Sequence, residues 1–328
     1  MIDRQFPSDE CIIEFLAALY KVQTSDQSSY FVKLKHGYKA DSSLEMAELL
    51  HANGIEQIIP PIRAVCNCLI VPIIDWSLIV YPFVEGVNGF SDKLTEKQWI
   101  TLGKALRQVH DFSVPPDILE DLRQEAYSPK WRQAVRSFMA NIQDKPANND
   151  AIAQKFLNFI KEHESIIARL VDRAEQLSVI IKDQHVKFVL CHSDIHAGNV
   201  LIQENDAIYI VDWDEPIMAP KERDLMFIGG GVGNVWNDPQ EEVLFYKGYG
   251  TTDINREILA YYRYERIVQD IGEYAQAFLL PNSANTHNDR PEMYKQFISM
   301  FDPQGVVDMG FKTDTVNQKA THEQTNSH

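Results

Sequence analysis

The chain has 328 residues, 45% of them hydrophobic, which is enough to bury a sizeable core. It carries 31 Lys and Arg against 47 Asp and Glu, a formal charge of −16. That balance weighs against a nucleic-acid partner, whose phosphates call for a basic surface, and suits a small cationic substrate or plain solubility.

No run of 18 apolar residues is present to span a membrane. Met1 to Pro7 shows no basic region leading into an apolar stretch, so a cytoplasmic protein is expected. The 4 cysteines, at positions 11, 66, 68 and 191, do not form a disulfide framework. Cys66 and Cys68 lie among strand formers without neighbouring histidines, and read as a pair of buried thiols.

In chain order, residues 1–84 read as a small sheet lobe. Cys11 to Tyr20 is ambiguous, a helix or the approach to a strand over Ala17 to Val22. Tyr30-Phe31-Val32-Lys33-Leu34-Lys35 is a strand with both lysines on one face. Ser42 to His51 is a helix, capped at Asp41 or Ser42 and stopped near Asn53-Gly54. Pro61 to Cys68 and Leu78 to Phe83 are two further strands around a turn at Pro72 to Asp75. Tyr81 to Gly86 is an extended exit.

From Thr95 the apolar period becomes 3.6, and residues 85–310 read as a larger helical lobe. Thr95 caps a helix that ends near His110. Ser128 to Ile142 and one long stretch from Asn149 to about Ser178 follow. Further helices are expected at Arg223 to Ile228, Pro239 to Tyr249, Asn255 to Leu280 and Pro291 to Met300. Residues 311–328 read as a polar, frayed tail.

Between the helices lies a polar cluster set among apolar strands. Phe188-Val189-Leu190 enters Cys191-His192-Ser193-Asp194-Ile195-His196-Ala197-Gly198-Asn199. Val200 to Ile202 and Ile208 to Val211 leave it as a hairpin turned at Glu204-Asn205-Asp206. The hairpin returns Asp212 toward Asn199 and Asp194. The pattern H-x-D-x-x-x-x-N followed by D supplies one proton acceptor and two oxygen ligands for a hard cation, the set that phosphoryl transfer from a nucleotide requires. A competing reading takes His192, Asp194 and His196 as zinc ligands, but leaves Asn199 and the D-W-D sequence at 212–214 unexplained.

HSDIHAGN and IVDWD resemble the catalytic and metal motifs of the aminoglycoside phosphotransferase and choline kinase family. YFVKLKHGY, VLCHSDIHAGNVL and IVDWDEPIMAPKERDLMFIGGGVGNVW are similar to its aminocyclitol-modifying members. The resemblance runs from about Tyr30 to Val307 and is strongest from Phe188 to Trp236. It implies an α+β, protein-kinase-like two-lobed fold. The activity implied is ATP-dependent transfer to a hydroxyl of spectinomycin or a similar cationic aminocyclitol, giving antibiotic resistance.

Under that resemblance Asp194 is the catalytic base, and Asn199 and Asp212 hold Mg2+. Lys33, with Lys35 as the alternative, grips the nucleotide phosphates of ATP. Glu45 orients the lysine, with Glu48 as the alternative. Tyr81 and Phe83 lie in the adenine-binding segment, and His196 stands beside the transferred group. Asp214 completes a second metal shell or faces a cationic substrate. His192 and Asp224 brace the catalytic turn. Gly229 to Gly233 form a turn beside the substrate cleft, lined by Trp236, Glu265 and Asp270.

The family's opening strand and glycine-rich turn have no counterpart ahead of Lys33. This leaves open a choline-like, homoserine-like or sugar substrate, and a non-catalytic binding protein that keeps the kinase fold. The oligomeric state is not legible.

Overall fold

The structure, a computed structural model, describes residues 17–36, 42–142, 150–230, 232–279 and 290–325, with side chains from Ala18 to Thr315. The expected cap Asp41, and the alternative readings of residues 11–16, fall outside the described residues.

Strands β1 (Ala17–Gln23), β2 (Ser29–His36), β3 (Val71–Ile73) and β4 (Trp76–Pro82) make an antiparallel sheet in the order β1-β2-β4-β3. The strand reading of Ala17 to Val22 therefore holds over the helical one. Lys33 lies opposite Leu19 on one side and Ile79 on the other. Ile79 packs with Leu69 and with Leu44 of helix α1 (Ser42–Ala52). Helix α1 stops where Gly54, at φ 88, turns the chain and donates its N–H to His51 O at 2.9 Å.

Pro61 to Cys68 is not a strand. Within it, Ile62 N donates to Val80 O of β4 at 2.7 Å. The chain then closes on itself, with Asn67 at φ 63 and its N–H on Ala64 O at 2.8 Å. Nor are Cys66 and Cys68 buried thiols. They are joined as a disulfide, with Cys66 exposed and Cys68 half-buried. The turn leaves Val65, Cys66 and Asn67 all exposed, and Asn tolerates its left-handed position.

Strand β5 (Val87–Asn88) leads into the helical part. Helix α2 (Glu96–Asp111) begins at a capping box: Thr95 accepts from Gln98 N and Gln98 accepts from Thr95 N. Then come α3 (Pro116–Leu119), β6 (Arg123–Gln124) and α4 (Lys130–Ala140). The single long helix expected next is two, α5 (Ala151–Glu162) and α6 (Glu164–Lys182). They break at His163, whose ring lies 2.9 Å from Phe159 O and stacks on the Phe159 ring at 3.9 Å.

After the hairpin over residues 200–210 come α7 (Glu222–Leu225), α8 (Pro239–Tyr249), α9 (Arg256–Leu279), α10 (Arg290–Ser299) and α11 (Val306–Thr325). Helix α9 runs through the middle, burying Tyr261, Tyr262, Tyr264, Ile267, Val268 and Ile271 in the main core.

The frayed tail expected from Phe311 is instead part of α11. Phe311 meets Tyr264 edge-on at 5.9 Å. Asp314, buried, accepts from Arg173 at 2.7 and 2.8 Å. Ion pairing across the fold anchors a helix whose own sequence has too few apolar residues to announce it.

Candidate active site

The site is built on one tight loop between two paired strands. β7 (Val189–Cys191) pairs antiparallel with β10 (Ile217–Ala219). Between them the chain forms a 3-10 turn at Ala197–Asn199, then β8 (Val200–Ile202) and β9 (Ile208–Ile210) as an antiparallel hairpin. Apolar alternation seats Val200, Ile202, Ile208 and Ile210 in the core and so fixes the register. Val211 N then donates to Asn199 O at 2.9 Å, which brings Asp212 back beside Asn199. Ser193, at φ 76, and Asp212, at φ 64, sit in the left-handed region. Such positions persist only where the surroundings impose them.

Those surroundings centre on Asp224, fully buried on α7. Its carboxylate accepts from Ser193 N at 2.7 Å and His192 N at 2.9 Å, and lies 3.1 Å from His110 Nε2. His192 Nε2 lies 2.9 Å from Val211 O, its Nδ1 accepts from Asp194 N at 3.3 Å, and its ring stands against Trp213 at 4.7 Å. Both histidine nitrogens are thus committed to backbone, which removes the zinc reading of His192, Asp194 and His196. His110, Cys191 and Asp224 do come within ligand distance of one another, but they are buried inside this brace.

Asp194 emerges half-buried from the loop, its carboxylate ion-paired with Arg266 of α9 and 3.4 Å from His196 Nε2. Burial works against its charge, yet the Arg266 guanidinium and His196 outweigh it and hold the carboxyl well below the usual carboxylate range. His196 Nδ1 accepts from Gly198 N at 2.9 Å, which turns Nε2 toward Asp194. Its ring sits between Phe90, at 5.7 Å, and Phe227, at 6.1 Å. Asn199 Nδ2 donates to Asp194 O at 2.8 Å, so its amide oxygen is turned away from that bond. The Asp212 side chain is 49% exposed.

Lys33, buried on β2, reaches across to this loop. Its Nζ lies 3.1 Å from Asp212 Oδ1 and is ion-paired with Asp214, which Lys35 also meets at 3.2 Å. Burial disfavours the ammonium, but the two aspartates win and raise its pKa; the two lysines, against the same burial, lower that of Asp214. The acids facing Lys33 are therefore those of the hairpin.

Glu45 is exposed on α1 and, among the described residues, makes no ion pair with Lys33. Glu48 is taken by Arg63, whose Nε lies 2.7 Å from its Oε1. Tyr81, next to last in β4, lies opposite Phe31, with ring centroids 6.2 Å apart. Phe83 N donates to Ser29 O at 3.2 Å, and Lys21 Nζ lies 3.9 Å from its ring centroid.

Of the three residues expected to line a substrate cleft, only Asp270 reaches the loop, through Arg266. Trp236 is buried edge-on against Trp99 at 5.1 Å. Glu265 is buried and ion-paired with Arg132. Just ahead of the glycine segment, Arg263 donates to Met226 O at 3.1 Å and Ile228 O at 2.8 Å.

Arg266 is the site residue that sequence reading misses. The Arg266 and Asp270 spacing reads as an ordinary i,i+4 pair on a solvated helix face. Nothing local tells that this face meets a loop 72 residues away.

The model of the phosphotransferase enzyme family matches residues 14–253. The structure of a spectinomycin phosphotransferase, APH(9)-Ia, in complex with ADP and spectinomycin is 46% identical, with a TM-score of 0.82 over 93% of this chain and 98% of that one. Protein StrN of Streptomyces griseus is 23% identical over 249 residues, 75% of this chain and 72% of that protein. An amicoumacin kinase at 15% identity shares the fold, with a TM-score of 0.55 over 93% of this chain and 90% of that one. The loop with Asp194, Asn199 and Asp212 and the Asp224 that holds it fall inside the matched span, and the chain belongs to the phosphotransferase enzyme family, with the protein-kinase-like α+β fold of those enzymes.

Proposed function

We propose that this enzyme transfers the γ-phosphoryl group of ATP to a hydroxyl of spectinomycin or a similar cationic aminocyclitol, and thereby confers resistance to it. The observation that carries this reading is the loop that presents Asp194, Asn199 and Asp212 together, in a chain 46% identical to a spectinomycin phosphotransferase. Asp194 accepts the proton of the attacking hydroxyl as the new P–O bond forms. A strongly basic group is not needed, because this transfer depends on positioning and charge stabilisation.

The amide oxygen of Asn199 and the carboxylate of Asp212 are hard oxygen donors of the kind that suits magnesium, and the half-exposed Asp212 is open to it. Bound there, magnesium would neutralise charge on the nucleotide phosphates. Lys33 is placed to exchange its aspartate partners for phosphate oxygens when nucleotide enters. Tyr81 to Phe83 offers main chain to the adenine, and His196 faces the transferred group.

The test is phosphate transfer from ATP to spectinomycin with and without a chelator. Transfer abolished by the chelator and restored by magnesium supports the reading; full turnover without divalent metal would sink it. Asp194→Ala should lower kcat by about 10²- to 10⁴-fold while changing the nucleotide Kd less than about threefold. Asp212→Ala should weaken nucleotide binding in magnesium as well. A neutral sugar preferred over spectinomycin in kcat/KM would overturn the substrate and leave the transfer chemistry standing.

A further inference from the structure

A carboxylate that must meet a hydroxyl needs one oxygen free and its plane fixed. The terminal torsion of an aspartate is broad, so the backbone of the loop does not set that plane. The neighbouring His196 accepts from Gly198 N through Nδ1 and turns Nε2 to 3.4 Å from Oδ2 of Asp194, a looser contact than the ion pair made by Oδ1.

The anchor is Arg266. Its Nη1 is ion-paired with Oδ1 of Asp194, and its Nε donates to Asp270 Oδ1 at 2.8 Å, one turn further along α9. Its guanidinium carbon lies 5.6 Å from the Phe227 ring centroid. A guanidinium is planar, so holding Nε on Asp270 determines where Nη1 points. Burial opposes the Arg266 charge, but Asp270, Asp194 and Glu273 more than offset it, so the cation is kept.

We propose that Arg266 is a positioning residue for the transfer: locked by Asp270, it ties Oδ1 of Asp194 and leaves Oδ2 to the acceptor hydroxyl. This rests on the phosphotransfer reading of the site given above. Asp270 contributes by fixing Arg266 rather than by touching the acceptor.

The test compares the wild type with Arg266→Met, Arg266→Lys and Asp270→Asn. Turnover with ATP and spectinomycin, nucleotide Kd and melting temperature are measured for each. Arg266→Met should lower kcat about 10- to 100-fold, as a misplaced reacting group does, with nucleotide Kd changed less than about twofold. Arg266→Lys keeps the charge without the fork and should recover part of that loss. Asp270→Asn should fall between Arg266→Met and the wild type. A kcat in Arg266→Met above about half the wild-type value would overturn the proposal. So would variants that only melt earlier, with unchanged kcat per folded enzyme.

Crystal structures of wild type and Arg266→Met without acceptor give a readout independent of activity. The Asp194 carboxylate should turn away in the variant, and an unchanged carboxylate would overturn the proposal. If the wild type phosphorylates no aminocyclitol, the functional reading fails while the carboxylate orientation still decides the role of Arg266.

Discussion

Asp224 carries more of the loop from His192 to Asn199 than any residue that faces solvent. Two backbone N–H groups and His110 converge on one carboxylate with no exposure to water. Asp224→Ala would leave those donors buried without partners, and should cost about 3–5 kcal/mol in urea unfolding and lower kcat in the fraction that still folds. A loss under about 1 kcal/mol would mean that water replaces the brace. Glu265 poses a different problem. Burial pushes its carboxyl up to about 7 despite Arg132, against an ordinary value of 4.5. Between those values the folded chain holds a proton that the unfolded chain has released, so this group's contribution to stability falls as pH rises through that window. Unfolding measured at pH 5 and pH 8 should show the wild type losing on the order of 2–3 kcal/mol more than Glu265→Gln over that rise. At this scale the sequence was partly legible. Asp194, Asn199 and Asp212 stand at fixed spacing within one supersecondary unit, so the sequence shows that they come together, though Asp224 holds the loop that does it. The partner of Lys33 is not local. Glu45 has the right distance along the chain, but helix α1 turns it outward and the hairpin acids take its place.

Elements were read well where a local signal sets both their phase and their ends. The Thr95 and Gln98 box starts α2, and Asp238 with Pro239 starts α8, each cap a hydrogen bond closed within a few residues. Those two helices then cross at glycines. A Cβ on Gly103 would come within 2.1 Å of Phe245 O, and one on Gly248 within 2.0 Å of Ile100 O. The obstacle in each case is backbone, which cannot swing aside. Gly103→Ala should therefore destabilise the protein by about 2–4 kcal/mol, where an alanine in a free helix would stabilise it; thermal unfolding decides the sign. No periodicity reveals such a contact, because a glycine on a helix face reads as a weak helix former. The helix beyond Phe311 escaped for the same reason, since its partner Arg173 lies 141 residues away. The break at His163 and the turn at Cys66 to Cys68 close through local contacts, with Phe159 and Ala64, that apolar periodicity does not register.

Across the whole molecule the charge of −16 is the dominant field, and no helix among the described residues is long and apolar enough to cross a membrane. An acidic surface attracts a protonated aminocyclitol and repels ATP, and added salt screens both effects. Raising ionic strength from about 0.05 to 0.5 M should raise KM for spectinomycin while leaving KM for ATP level or lower. A spectinomycin KM that does not respond would place its amines away from the acidic field.

The sequence by itself determined the class of the fold, most of its helices and paired strands, and the place of the hairpin that carries Asp194, Asn199 and Asp212. Each of these is written in short-range terms: apolar period, caps, turns, and the spacing of a few polar residues within one supersecondary unit. The tertiary structure decided which charges meet. Arg266 on Asp194, Asp214 on Lys33 and Arg173 on Asp314 are each joined across more than 70 residues. Ion pairs leave no periodic trace, because either partner alone reads as a solvated surface residue. Only packing the core sets those side chains face to face, and burial then makes the pairing obligatory.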